Sequence, residues 1–172
     1  MINKESWRYN MMYRLITTIT KRWRARVVLN EIDNNSSNRL LDLGCGDGYL
    51  VRHVEAFCIG IDKCYGTTIE GHLAMDTSRY DYITFLASLE HLEEPTAILL
   101  QCLSRLKPNG KIIITTPVFK VGKIQKVLLG NDDAHKNYLE RNYFEKLDFL
   151  RIIKYKKFMF GCNQLIILEA RE

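Results

Sequence analysis

Residues Leu40 to Leu50 read LLDLGCGDGYL, and this stretch constrains the chain more than any other. A short apolar run meets glycines at 44, 46 and 48, and an amphipathic segment, Tyr49 to Ala56, follows. The pattern predicts a strand, a tight loop and a helix, because residues without a Cβ let the backbone bend sharply and let a ligand approach it. Two acids set the character of the loop: Asp42 stands in the strand before it and Asp47 lies inside it. The dinucleotide fingerprint G-x-G-x-x-G needs a third glycine at position 49, where this chain has Tyr49. Both carboxylates would repel a pyrophosphate and attract a cation.

Three further segments follow in order. Phe57 to Asp62, FCIGID, is an apolar strand ending in an acid, and Asp62 stands 18 positions after Gly44. That is close to the offset of roughly 20 residues at which an acid reaches ribose hydroxyls. Tyr80 to Leu86, YDYITFL, runs into ASLEHLEEP. Leu106 to Pro117, LKPNGKIIITTP, ends a helix near Pro108, turns at Asn109-Gly110 and enters a β-branched strand.

A ligand with an ammonium and a sulfonium suits the acidic loop, and S-adenosylmethionine carries both. With the acid, glycine loop and downstream elements in this order, the chain resembles the class I S-adenosylmethionine-dependent methyltransferases, whose first motif looks like DLGCGxG. The resemblance covers Arg39 to Pro117 well and the remainder loosely; LKPxGxhhhTTP is frequent in the small-molecule branch. It implies that Asp42, Gly44, Cys45, Gly46, Asp47 and Gly48 surround the methionine moiety. Asp62, with Lys63 beside it, is expected at the ribose, and Asp76 and Thr77 near the adenine. Leu86 and His91 would line the cleft after the fourth strand. His91 and His135 are the two candidates for acid–base work, each with an alternative structural role as a packed or capping side chain. The transfer itself is a direct displacement, in which alignment and exclusion of water do most of the work.

Absences narrow the acceptor. Phe85-Leu86-Ala87-Ser88 stands where the resembled amino-methylating enzymes carry Asn/Asp-Pro-Pro-aromatic, and no Pro-Cys pair suggests cytosine chemistry. The quinone O-methyltransferases look like Glu-x-x-Glu-His here and bind a metal through it. This chain has Ala87-x-x-Glu90-His91, so no metal is expected. The reading is a methyltransferase acting on oxygen, nitrogen or carbon of a small molecule. A cofactor-binding regulator without turnover and an RNA methyltransferase stand as alternatives.

At 172 residues the chain forms one domain, with residues 1–38 as a helical cap and linker and 39–172 as the α/β core. No apolar run approaches the ~18 residues that span a bilayer, and the amino terminus lacks a secretory pattern. Five scattered cysteines suit free thiols in a reducing cytoplasm. The expected architecture is a doubly wound, Rossmann-like sandwich. Its sheet is mostly parallel with an antiparallel carboxyl-terminal strand pair, its helices cover both faces, and the helix between strands two and three is reduced. The strands are expected at Arg39–Leu43, Phe57–Ile61, Ile69–Met75, Tyr80–Leu86, Lys111–Thr116, Phe149–Phe160 and Leu165–Ala170. Helices are expected at Tyr49–Ala56, Pro95–Leu106 and Asn137–Leu147, after one or two in Glu5–Ile32.

The net charge of +5 is concentrated near the start, where seven cations oppose Glu5 before Glu31. Met12, Leu15, Ile16, Ile19, Trp23 and Val27 recur at helical spacing. The favoured expectation is a helix whose apolar stripe packs on the domain and roofs the cofactor cleft, with the cations outside. A surface for nucleic acid or for anionic phospholipid is the alternative.

Overall fold

The computed structural model describes residues 4–118, 137 and 139–171, with the backbone alone for 4–14. Among the described residues, six strands form one sheet in the order β2-β1-β3-β4-β6-β5. They are β1 Arg39–Leu43, β2 Phe57–Ile61, β3 Tyr80–Leu86, β4 Leu106–Pro117, β5 Leu150–Phe158 and β6 Asn163–Ala170. β1 pairs in parallel with β2 and β3, and β3 with β4. β6 then runs antiparallel to both β4 and β5. The chain leaves β1 toward β2 on one side and returns to β3 on the other. That reversal opens a crevice beyond the carboxyl ends of β1 and β3, where ligands of open α/β sheets bind.

Alternation along the strands covers the sheet on both faces. Leu41, Leu43, Ile83, Phe85, Ile112 and Ile114 pack one face against helices α2 (Ile69–Met75), α3 (Pro95–Ser104) and α4 (Arg141–Glu145). Leu40, Tyr82, Ile113 and Ile167 pack the other against Ala25 and Val28 of α1 (Lys4–Leu29). On this second face the positions nearest the crevice turn polar: Asp42, Thr84 and Thr115 are all buried.

Several expectations change. Ile69–Met75 is helix, not a third strand. Thr68 caps it, its Oγ1 accepting from Gly71 N at 3.0 Å, and Ile69 and Leu73 bury one turn apart. The sheet therefore ends at β2. Tyr49–Ala56 forms turns rather than a helix, with i+4 bonds only from Arg52 to Gly48 and from Val54 to Leu50. α4 is a single turn within the helix expected over Asn137–Leu147, and β4 begins at Leu106 rather than Lys111. The orientation of α1 also reverses: Leu15, Ile16, Ile19 and Trp23 face solvent, while Ala25 and Val28 face the sheet. Its ties to the body are largely polar. Arg24 Nε donates to Asn163 Oδ1 at 2.8 Å, and Lys154 Nζ meets Glu31 Oε2 at 2.8 Å just past the helix.

Candidate active site

β1 delivers the chain into the glycine loop at the crevice. Gly44, Gly46 and Gly48 take φ of 81, 55 and 70°, conformations that a side chain would strain. A Cβ on Gly44 would sit 2.3 Å from the Ser88 Cβ, so the loop and the segment after β3 can touch only because glycine is there. Ser88 Oγ donates to Leu43 O at 2.6 Å, locking the two together. Gly44 N and Cys45 N both donate to Ile61 O at the end of β2, at 2.8 and 3.1 Å.

Asp62 follows immediately. Its Oδ2 accepts from Gly46 N and its Oδ1 from Cys64 N, both at 2.9 Å. Burial alone would raise this carboxyl, but the amides of Cys64 and Gly46 outweigh it and hold the group below the usual carboxylate range. The acid is thus fixed, ionised and adjacent to the loop, with the Cys64 thiol a further hydrogen-bonding group against it. Lys63 lies beside it, exposed, in a 3₁₀ turn over Lys63–Tyr65.

Asp42 is buried below the loop, where its Oδ1 accepts from Thr84 Oγ1 at 2.7 Å. Burial raises its pKa to about 7, against the opposing pull of Thr84 and Lys21. Asp47 is exposed and pairs with Lys21 Nζ of α1 at 2.5 Å, chiefly through that hydrogen bond keeping its carboxyl low. The same ammonium stands 3.2 Å from where a Gly46 Cβ would be. Thr17, Thr18, Lys21, Arg22, Asp47, Tyr49 and Arg52 line a cleft between α1 and the loop.

The structure brings Asp42, Gly44, Cys45, Gly46, Asp47, Gly48, Asp62, Lys63 and Leu86 to one edge of the sheet. It does not bring Asp76 and Thr77 there. Asp76 ends α2 and accepts from Tyr80 OH at 2.8 Å and from Ser78 N at 3.0 Å. Tyr80 starts β3, so both residues lie at the opposite, amino-terminal edge. The reason is the replacement of the third strand by α2, which carries the chain away from the crevice. His91 occupies the exposed side of a 3₁₀ turn, Leu89–His91, while its neighbour Glu90 faces inward. His135 lies outside the described residues. No group of three or more His, Cys, Asp or Glu suited to a metal occurs among the described residues.

Sequence reading missed Glu90 and Lys21. Glu90 is 1% exposed, and neither carboxyl oxygen has a hydrogen-bond partner. Burial raises its pKa to about 7, against the weaker opposing pull of its own backbone amide, the positive charge of Arg24 and the Thr116 hydroxyl, none of which reaches full hydrogen-bond geometry with its oxygens. Thr115 Oγ1, on the neighbouring strand end, is likewise buried without a partner. The Glu-His pair carried the signal for Glu90, read there as pointing to the histidine. Nothing in the sequence singled out Lys21 among the cations of its helix.

Sheet order, crevice and acid-bearing glycine loop define an α/β fold of the S-adenosylmethionine-dependent methyltransferase class. The chain belongs to the methyltransferase domain family, whose pattern matches residues 9–156. A ubiquinone biosynthesis O-methyltransferase of Vibrio campbellii is 28% identical over 116 residues, 54% of this chain and 49% of that protein. The chain therefore spans about half the length of the curated relatives it matches. Among solved structures, the plantazolicin methyltransferase BpumL in complex with SAH superposes with a TM-score of 0.68 at 15% identity, covering 99% of this chain and 92% of that one. A putative S-adenosylmethionine-dependent methyltransferase from Listeria monocytogenes gives 0.66 at 17% identity, over 88% of this chain and 100% of that one. These likenesses are of fold. No described helix is long and apolar enough to cross a membrane.

Proposed function

We propose that this chain transfers a methyl group from S-adenosylmethionine to a small-molecule acceptor, with a hydroxyl oxygen as the favoured site of attack. The observation that carries the reading is Asp62, an ionised carboxylate held by the amides of Gly46 and Cys64 at the margin of a loop whose three glycines hold positive φ and whose Gly44 has no room for a side chain. The bound cofactor supplies a methyl group on a sulfonium, whose departure leaves a neutral thioether. The residues of the chain orient and shield. Asp62 accepts from the two ribose hydroxyls, and the bared backbone of Gly44 to Gly48 lets the methionine portion lie close. The ionised Asp47 and the buried Asp42 favour its cationic groups. Leu86 and the Ser88 segment close the side beyond β3.

Deprotonation of a hydroxyl requires a base near neutrality. Glu90 is the group suited to it: a buried carboxyl with no hydrogen bond of full geometry to either oxygen, beside the polar strand ends, with a pKa near 7. The relatives named for ubiquinone biosynthesis O-methylation support oxygen as the target. Calorimetry with S-adenosylhomocysteine tests the cofactor half. Asp62→Ala is expected to weaken binding by roughly 1.5–3 kcal/mol, the scale of lost charge-assisted hydrogen bonds. Unchanged affinity in a folded variant would remove Asp62 from the site. Turnover of labelled cofactor over a panel of phenols and catechols tests the acceptor half.

A further inference from the structure

The outward stripe of α1 is the surface feature that the active site leaves unexplained. Leu15, Ile16, Ile19 and Trp23 are 59, 47, 50 and 41% exposed, and Phe160 at the β5–β6 hairpin tip is 99% exposed. The Trp23 and Phe160 rings meet edge to face with centroids 6.5 Å apart, so helix and hairpin make one continuous apolar surface. Met159 and Phe160 both hold left-handed backbone, φ 52 and 55°, next to Gly161 at 81°. Two adjacent residues with side chains in that region are uncommon, and such conformations cluster where a group must be displayed.

Charge is organised around the same surface. At roughly 100° per residue, the four apolar residues of α1 share one arc, opposite the buried Ala25 and Val28. Arg26 falls within that arc and is exposed, while Arg22 at its margin turns toward the glycine loop, its guanidinium 5.9 Å from the Tyr49 ring centroid. On β5, alternation places the exposed Lys156 on the face of Lys154, which pairs with Glu31, and of Phe158, which packs with Ala25 and Val28.

We infer that the outer face of α1 and the Phe160 hairpin form a docking surface for an anionic phospholipid bilayer. An amphipathic helix with aromatic and aliphatic side chains bordered by arginine lies in such an interface, its apolar groups below the headgroups and its cations among them. A helix face and a hairpin tip exposed side by side can enter one fluid plane together. A second copy paired about a two-fold axis would bring like cations together on a chain of net charge +5. Nucleic acid would use the arginines but leave five large apolar side chains without a role.

Sedimentation of the full chain with vesicles separates these occupants. The chain is expected to pellet with equimolar phosphatidylcholine and phosphatidylglycerol, and to remain soluble with phosphatidylcholine alone. Ile19→Ser and Phe160→Ser should each weaken retention on the order of tenfold, as burial of a large apolar group implies. Arg26→Glu should weaken it and reduce its dependence on salt. Circular dichroism and S-adenosylhomocysteine binding confirm that each variant is folded. The inference is overturned by no retention on anionic vesicles, or by equal retention on neutral ones. Retention indifferent to Ile19→Ser and Phe160→Ser overturns it too, as does a single-stranded RNA that competes only with arginine-dependent binding. Dimerisation abolished by Phe160→Ser would assign the surface to a second copy. None of these readouts requires a methyl acceptor.

Discussion

Two buried carboxyls dominate the energetics of single residues. Glu90 is raised from its ordinary value of 4.5 to about 7 and Asp42 from 3.8 to about 7, each chiefly by burial. Between those values the folded chain keeps protons that the unfolded chain releases. Stability is therefore greatest on the acid side of the window and falls as pH climbs from about 4.5 through 7. Glu90→Gln removes its share of that dependence. Relative to the parent, the variant should gain stability across the window by an amount on the order of a few kcal/mol at most, and gain nothing below it. Urea titrations at several pH values measure the gap; one that does not change with pH would mean that Glu90 is paired. The loop residues and Asp62 were legible in the sequence because their roles are local: glycine at positive φ, acid at the end of a strand. Glu90 was not, because its inward direction depends on the turn that follows β3. Asp76 and Thr77 were misplaced because their position depends on whether the preceding segment is strand or helix.

At the scale of elements, Ile69–Met75 shows where pattern reading loses its grip. Seven residues with apolar positions at both ends satisfy a short strand as well as a helix, and length alone does not arbitrate. The deciding signal is Thr68, whose hydroxyl accepts from Gly71 N and satisfies a first-turn amide. Thr68→Ala should cost about 1 kcal/mol and lower the melting temperature without changing cofactor affinity; calorimetric scans and binding isotherms measure both. β1, β2 and β4 were legible because their apolar runs end at Gly, acid or Pro, and β3 through the Tyr80-Asp81 pair that opens it. The hairpin of β5 and β6 was legible through Gly161. α1 was legible as a helix but not in orientation, since periodicity defines a stripe without saying which side the body lies on. Ala25 and Val28 carry the buried contact with Val27 and Leu29 packed beside them, and Leu15, Ile16, Ile19 and Trp23 do not.

For the whole molecule, that small contact raises the question of whether α1 unfolds with the sheet. Ala25 and Val28 are fully buried within the second core cluster, and the Arg24–Asn163, Lys21–Asp47 and Glu31–Lys154 ties span three separate regions. One cooperative transition is expected. Both tryptophans, Trp7 and Trp23, lie on α1. Their fluorescence therefore reports the helix and should follow the same urea curve as far-ultraviolet circular dichroism; an earlier fluorescence transition would mean that α1 detaches first. The sheet has a different asymmetry, since it stops at β2, beside the acid that we assign to the sugar. A purine held from that sugar would reach past the last rung, toward a side where the described residues place no further strand to wall it in. Discrimination among bases should then be lax. Adenosylhomocysteine analogues enlarged on the purine should compete nearly as well as the parent in displacement calorimetry, a tolerance that a wider sheet would deny them.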